Sequence, residues 1–479
     1  MKIQLPLLLI LGFSVVSLNG CMSVGPDYET PDAHVSNAWK QALTNGLVSG
    51  EADLQAWWGV FNDDTLDALM VQAAIENLDL KTAAARVAQA RALRGVAAGE
   101  YYPSMAGIGS ATTTRTSEAA TASGAGRNGE FYQTGISVGW ELDLWGRIRR
   151  NVESANASLQ ASEETYRDLL VLLYSDVADT YISIRTLQQQ IALAENNLAA
   201  QAETKKLTED RFNSGLVPRL DVSQAELNYS STAATLPALH QSLVQAMNRI
   251  EVLVGKLPSV LRDELVVSAP IPVAPVCVTV GLPADLLRQR PDVRQAERQL
   301  AAQHAKIGVA KADFFPTFTL PGTLVLEAAN LGNGTTTAYN FGPQFRWNLF
   351  AGGRVLNNVR AEEAATQAAL HIYEQTLLLA VEEAENLMAS FAYEKDRNGI
   401  LQSAVASAQE SVEQVTELYT SGLIDFQNVL VLERDLLQQQ NQQAASQGQV
   451  SRNLVQLYKA LGGGWAVAET EDKPVAEGE

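Results

Sequence analysis

Two cysteines and four histidines in 479 residues leave this chain almost without soft metal ligands and without a disulfide framework. His34, His240, His304 and His371 are scattered, with no metal-binding spacing. Six methionines are too few for soft-metal capture. A Gly-rich phosphate cradle and a nucleophile elbow are both missing. Catalysis is therefore not expected, and neither a cofactor nor a metal is implied. Positive charge is also short: 35 Lys and Arg against 54 Asp and Glu give a net charge of −19. That balance disfavours nucleic acid and anionic lipid surfaces as partners, and an acidic interior would favour cationic solutes. No stretch approaches about 18 consecutive apolar residues, so no membrane-spanning helix is expected.

Glycine and proline are missing where their absence matters most. Residues 147–214 contain neither, and residues 354–421 contain only Gly399. Each run predicts one helix on the order of 100 Å long. Leu170, Val177, Ile184, Ile191 and Leu198 recur every seven residues in the first, matched by Leu377, Ala384, Phe391, Val405 and Val412 in the second. That is the spacing of a helix whose apolar stripe faces partner helices.

The two runs belong to a longer repetition. Asp210-Arg211-Phe212-Asn213-Ser214-Gly215-Leu216-Val217 is echoed by Glu417-Leu418-Tyr419-Thr420-Ser421-Gly422-Leu423-Ile424. Tyr102-Pro103 answers to Phe315-Pro316, and Leu144-Trp145-Gly146-Arg147 to Leu349-Phe350-Ala351-Gly352-Gly353-Arg354. The period is far longer than a solenoid's, so a domain-sized unit is duplicated. Residues 65–256 form the first copy, 282–464 the second, and 257–281 a Pro-rich linker between them. Helices over 66–99 and 282–313 precede the β segments. Pro237 faces Ala444 in the other copy, so the two returning helices should bend differently.

Between the helices the period changes to two. Tyr132, Ile136, Val138, Trp140, Leu142 and Leu144 alternate with Gln133, Gly135, Ser137, Gly139, Glu141 and Asp143. Phe341, Phe345, Trp347 and Leu349 alternate with Asn340, Gly342, Gln344, Arg346 and Asn348, and Thr317, Thr319 and Thr323 with Phe318, Leu320 and Leu324. Strict alternation gives one wet and one apolar face. A weaker strand over 104–114, and polar loops over 112–129 and 329–337, complete two hairpins. Four strands are too few to close a barrel with a lumen, and a sheet in lipid cannot leave its edges open. Several chains must pool strands; three would give twelve, within the range of transmembrane barrels. Trp140, Leu142, Phe345 and Trp347 are expected to face lipid, and Glu141, Asp143 and Arg346 the lumen.

The N-terminus points to the same membrane. Lys2 precedes an apolar run over 5–16, and Leu18-Asn19-Gly20-Cys21 resembles a bacterial lipobox. Residues 1–20 read as a lipoprotein signal peptide and Cys21 as the acylated first residue of the segment 21–64. Met22, in place of Asp, implies sorting to the outer membrane. Cys277 is then a lone thiol, and residues 465–479 read as an acidic, disordered tail.

Four stretches carry a family resemblance: Val24-Gly25-Pro26-Asp27-Tyr28; Trp57-Trp58-Gly59-Val60-Phe61 with Asp63; Gly281-Leu282-Pro283-Ala284-Asp285-Leu286-Leu287 continuing to Arg290-Pro291-Asp292; and the paired Ser-Gly-Leu sites. Together they resemble the TolC-type outer-membrane efflux proteins of the lipoprotein branch. The resemblance implies a mixed α/β membrane protein: a homotrimer with a twelve-stranded transmembrane β-barrel, four strands per chain, continued by an α-helical periplasmic tunnel. It further implies a passive duct for drugs or other toxic solutes, served by an inner-membrane transporter through a periplasmic adaptor. A type I protein-secretion duct shares the fold, and a periplasmic coiled-coil scaffold is the remaining reading. The turns at Gly215-Leu216 and Gly422-Leu423 are the implied adaptor-docking tip. Asp221, Tyr419 and Asn428 are the implied periplasmic gate, with Arg219 a candidate partner for Asp221.

Overall fold

The protein is described here by a computed structural model covering residues 23–32, 38–50, 54–116, 127–281, 283, 289–329 and 334–465. Residues 1–20 (expected to be a signal peptide), Cys21 and residues 466–479 lie outside the described residues. In chain order the elements are β1 (Leu47–Ser49), a 3-10 turn (Trp57–Phe61), α1 (Asp64–Glu76), α2 (Leu78–Gly99), β2 (Ser104–Thr116), β3 (Arg127–Leu142), α3 (Arg147–Asn213), α4 (Arg219–Ala233), α5 (Thr235–Leu253) and α6 (Arg262–Val266). There follow β4 (Val278–Val280), α7 (Pro291–Ala312), β5 (Thr317–Ala328), β6 (Thr336–Phe341), β7 (Gln344–Arg346), α8 (Arg354–Thr420) and α9 (Phe426–Ala460). No described helix is long and apolar enough to cross a membrane. The chain divides into two compact bodies: residues up to 32 with 86–163 and 295–374, and residues 33–85 with 164–294 and 375 onward.

The first body carries the sheet, in the order β2-β3-β5-β6, with β7 continuing on β5 after β6 ends. All pairings are antiparallel. The last strand was expected to run unbroken through residue 349. It is interrupted at Gly342-Pro343, where proline has no N–H to give to a ladder, and it stops at Arg346.

The second body holds the main apolar core. Val177, Ile184 and Ile191 from the α3 seam are buried, as are Ala384 and Phe391 from α8. The copies diverge in their returning helices: α9 is continuous for 35 residues, whereas its counterpart breaks at Ala234 into α4 and α5, just ahead of Pro237. Residues 257–281 are more than a linker. They form α6 and the strand β4, which pairs in parallel with β1, and they bury Leu261, Leu265, Ile271, Val278 and Val280. The fully buried Glu251 accepts the main-chain N–H groups of Ser259 (2.6 Å) and Leu261 (2.7 Å), which fixes this segment to the end of α5.

Two sequence motifs prove to be joints of this body. Trp57 stacks on Tyr458 at 5.5 Å, while Asp63 caps α1 through Thr65 and Leu66 and accepts the Tyr181 hydroxyl at 2.7 Å. A side chain at Gly463 would lie 3.0 Å from both Trp57 and the Tyr458 carbonyl, so this Gly-Gly-Gly run serves close packing at a helix end. Arg290 donates to Asp292, to Glu383 (2.8 Å) and to the Ala460 carbonyl (2.9 Å). Asn77 does the same work in the first copy, donating to the Leu253 carbonyl at 2.9 Å. Trp465, expected at the head of the disordered tail, is buried and donates to the Gln289 carbonyl.

Beside the Arg290 cluster, burial pushes the Asp168 carboxyl up to about 6, and the Asp292 carboxylate adds to that rise against the opposing pull of Arg290 and Lys459. A carboxyl raised on folding gains stability in acid and loses it as pH climbs through the folded value. Asp168→Asn is expected to be stabilised at pH 7.5 by about 1–3 kcal/mol and to be neutral at pH 4. Thermal melts at the two pH values check this.

Candidate membrane sheet, N-terminal strap and helical tip

Register decides which side chains share a face of the sheet. Trp140 lies opposite Leu320, Leu142 opposite Phe318, and Phe318 opposite Phe345. On the other face Glu141 lies opposite Thr319, and Thr319 opposite Gln344; Ser137 lies opposite Thr323, and Gln133 opposite Glu327. One face is apolar and aromatic, the other polar. Of the residues expected at the lipid boundary, Trp140, Phe345 and Trp347 are exposed and Leu142 is half-buried. Trp347 sits just past the end of β7. Each tryptophan ties its hairpin to the preceding helix: the Trp140 indole donates to the Tyr101 carbonyl (2.9 Å) and Trp347 to that of Phe314 (3.0 Å).

The expected lumen charges divide. Glu141 is held by Arg147 at 2.8 Å. Asp143 lies beyond β3, where it accepts the N–H groups of Ile148 and Arg149 and so caps α3. Arg346 remains exposed in β7.

Where the sheet meets α3, the N-terminal segment forms a strap. Val24 donates its N–H to the Trp145 carbonyl at 2.9 Å. Arg150, almost fully buried, donates to the carbonyls of Val24 and Gly25 and pairs with Asp27 at 2.7 Å. Tyr28 donates to Glu297 at 2.8 Å. Gly308 makes the seat possible: a Cβ there would fall 2.8 Å from the Val24 carbonyl. The Val24-Gly25-Pro26-Asp27-Tyr28 motif is therefore a main-chain clamp. Arg150 and Gly308, its receptors, carry no local signal in sequence. Cys21, three positions before Val24, is outside the described residues.

At the opposite end of α3 and α8 both turns close identically. Gly215 (φ 72°) and Gly422 (φ 74°) are left-handed. Leu216 donates to the Arg211 carbonyl, Gly215 to that of Phe212, Leu423 to that of Leu418 and Gly422 to that of Tyr419, all at 2.9 Å. This is the Schellman arrangement, which requires glycine for its φ. Leu216 and Leu423 are left 68% and 71% exposed.

The two turns are joined by a residue that the sequence did not single out. Arg211 donates to the carbonyls of Tyr419 (2.8 Å) and Thr420 (2.9 Å), satisfying the end of α8, and lies over the Tyr419 ring at 4.7 Å. Tyr419 is buried against Phe426, and its hydroxyl has no hydrogen-bond partner among the described residues. Asp221 occupies the first turn of α4. Burial raises its carboxyl, and the nearby Asp425 carboxylate raises it further. Arg219 forms no ion pair with Asp221 among the described residues. Asn428 is turned to its own helix, bonding the Asp425 carbonyl. The structure thus gathers Asp221, Tyr419, Asp425 and Arg211 around one cleft, with Leu216 at its rim, and leaves Asn428 off it. No group of three or more His, Cys, Asp or Glu among the described residues is placed to hold a metal ion.

A family model described as outer membrane efflux protein matches residues 69–256 and 282–463. Nodulation protein T of Rhizobium leguminosarum bv. trifolii is 30% identical over 468 residues, covering 95% of this chain and 96% of its own. The solvent efflux pump outer membrane protein SrpC of Pseudomonas putida is 32% identical over 471 residues, covering 95% and 98%. The solved outer-membrane channel OprN superposes with a TM-score of 0.87 at 35% identity, covering 92% of this chain and 99% of that one.

The face assignment makes a paired prediction in the middle of β3. Ile136→Arg, on the apolar face, is expected to cost about 2–4 kcal/mol if that face meets lipid and to deplete the protein from outer membranes. Ser137→Arg, one residue on, should insert normally. Quantifying both variants in outer-membrane fractions checks it.

Proposed function

This chain belongs to the family of outer membrane efflux proteins, and from that premise we propose that it is the outer-membrane duct of a tripartite efflux system, assembled as a homotrimer. It is a channel protein, not an enzyme. The observation that carries the reading is the sheet: one aromatic face, one polar face, and two edge strands, β2 and β6–β7, with no further partner among the described residues. Three copies supply twelve strands, and closing them into a barrel satisfies both edges. The barrel spans the outer membrane and the helices continue it as a tunnel through the periplasm.

The strap supports a lipid anchor at Cys21. It fastens Val24 at the foot of the sheet, the level at which acyl chains on Cys21 would enter the bilayer. Relatives named for solvent efflux and for nodulation share one frame with this chain, so the frame does not dictate the cargo. The duct passively conducts drugs or other toxic solutes that an inner-membrane transporter delivers through a periplasmic adaptor.

The tip is the adaptor's docking site, with Leu216 and Leu423 as apolar knobs on turns fixed by Gly215 and Gly422. The cleft behind them is the periplasmic gate. Asp221 and Asp425 supply its charge, and Arg211 and Tyr419 hold the two turns together; Asn428, bonded to its own helix, contributes only locally.

Leu216→Glu combined with Leu423→Glu should abolish export and adaptor crosslinking while the protein stays in the outer membrane. Normal export from that double variant would remove the docking role. Cys21→Ser should lose incorporation of radioactive palmitate yet retain part of the export activity, since the barrel inserts on its own; persistent labelling would exclude the anchor.

A further inference from the structure

The two hairpins of one chain share one pairing register. Ser104 opposite Gly139 in the first becomes Thr317 opposite Arg346 in the second, and Gly109 opposite Thr134 becomes Gly322 opposite Phe341. One offset (Ser104 to Thr317) relates β2 to β5, and another (Gly139 to Arg346) relates β3 to β6–β7. No slip intervenes anywhere along the ladders, apart from the break at Gly342-Pro343. The joint between hairpins inside the chain, β3 against β5, is therefore known residue by residue. The equivalent joint from β6–β7 to a β2 strand has no partner within the chain.

We propose that this missing joint is made with a second copy of the chain and repeats the internal one in register, so that Gln344 lies opposite Ser110, Trp347 opposite Gly107 and Phe345 opposite Gly109 of the neighbour. These pairs are the images of Ser137 opposite Thr323, Trp140 opposite Leu320 and Val138 opposite Gly322. The inference rests on the trimer reading and adds to it the contact surface and its register.

A second observation supports this register independently of the duplication. Phe345 and Trp347 are 69% and 52% exposed on the apolar face. On the same face of β2, Gly107 has open space where a Cβ would stand, and Gly109 meets nothing closer than 3.8 Å. The proposed register lays both exposed rings over the two glycines, the arrangement in which an aromatic side chain covers a strand glycine. A slip of two residues in either direction leaves at most one ring over a glycine. A slip of one would turn Phe345 and Trp347 to the polar face. The contact is head-to-tail, because β6–β7 of one copy meets β2 of the next, and such a contact closes as a ring when the rotation permits.

Cysteine pairs test it in a Cys277→Ser background. Residues directly opposite on antiparallel strands stand about 4.5–5.5 Å apart at Cα, within disulfide range. S110C with Q344C, oxidised in isolated outer membranes, should give covalent trimers on non-reducing gels, and each single variant should stay monomeric. I108C with R346C is a second pair on the same register, should the first fail to insert. S110C with R346C, two residues out of register, should remain uncrosslinked. Light scattering of the detergent-solubilised, unoxidised protein reads the oligomer separately. Trimers in which neither matched pair crosslinks, or in which the shifted pair crosslinks instead, would overturn the register and leave the trimer standing. A monomer by light scattering would overturn both.

Discussion

A strand with unpaired N–H and C=O groups cannot rest in lipid, where each such group costs several kcal/mol. The described sheet has two such edges, and most of what is unusual about this chain follows from that constraint. Its apolar side chains gather on one face, where Trp140, Phe345 and Trp347 stand exposed. The polar face carries threonine, serine and glutamine, which suit a wet lumen. Prolines stand at 343 on the edge strand and at 321 on the inner strand β5, and the ladder between these two strands is interrupted where they lie, since proline has no N–H to donate.

Duplication supplies the strands that such closure needs, and the two copies show which parts of the frame tolerate change. The αL glycines at both tips, the indole-to-carbonyl ties of Trp140 and Trp347, and the bond from the head of the helix before each hairpin (α2 or α7) to the end of the copy's last helix are kept. That last bond is made by Asn77 in one copy and by Arg290 in the other. The shared requirement is a donor for a helix-terminal carbonyl, so side-chain identity can drift while the bond persists. Arg290 has gained two carboxylate partners in the exchange, and burial beside that cluster is what raises Asp168.

Much of this frame was legible. The long helices end within a residue of the sequence reading because the runs, free of Pro and broken by Gly only at Gly399, are bounded by residues that demand a turn. Alternation gave the faces of β3 and β5 correctly. Three things were hidden, each for a physical reason. Residues 257–281 looked like a linker because Leu261, Leu265, Ile271, Val278 and Val280 follow no period, and their strand pairs with a β1 partner more than 200 residues away. The strap was visible as a motif but its receptor was not, since Arg150 and Gly308 come from two different helices. Arg211 escaped notice because Leu418 replaces it in the other copy, and a repeat directs attention to what recurs.

That last difference governs the tip. Two turns with the same backbone are fastened by one arginine, which donates its hydrogen bonds from the first copy to the end of α8 in the second. A single guanidinium also covers the Tyr419 ring, so the main-chain caps and the aromatic packing depend on one side chain. The carboxylates obey the same one-sidedness. Asp221 of the first copy has Asn428 as its counterpart, while Asp425 of the second has Pro218. Substitution has therefore gathered both acids at one cleft, where partial burial and then repulsion from Asp425 raise the Asp221 carboxyl from its ordinary value. Protonation relieves that repulsion. The turn glycines set where the helices reverse, and the unequal side chains set how firmly the reversed ends are held together.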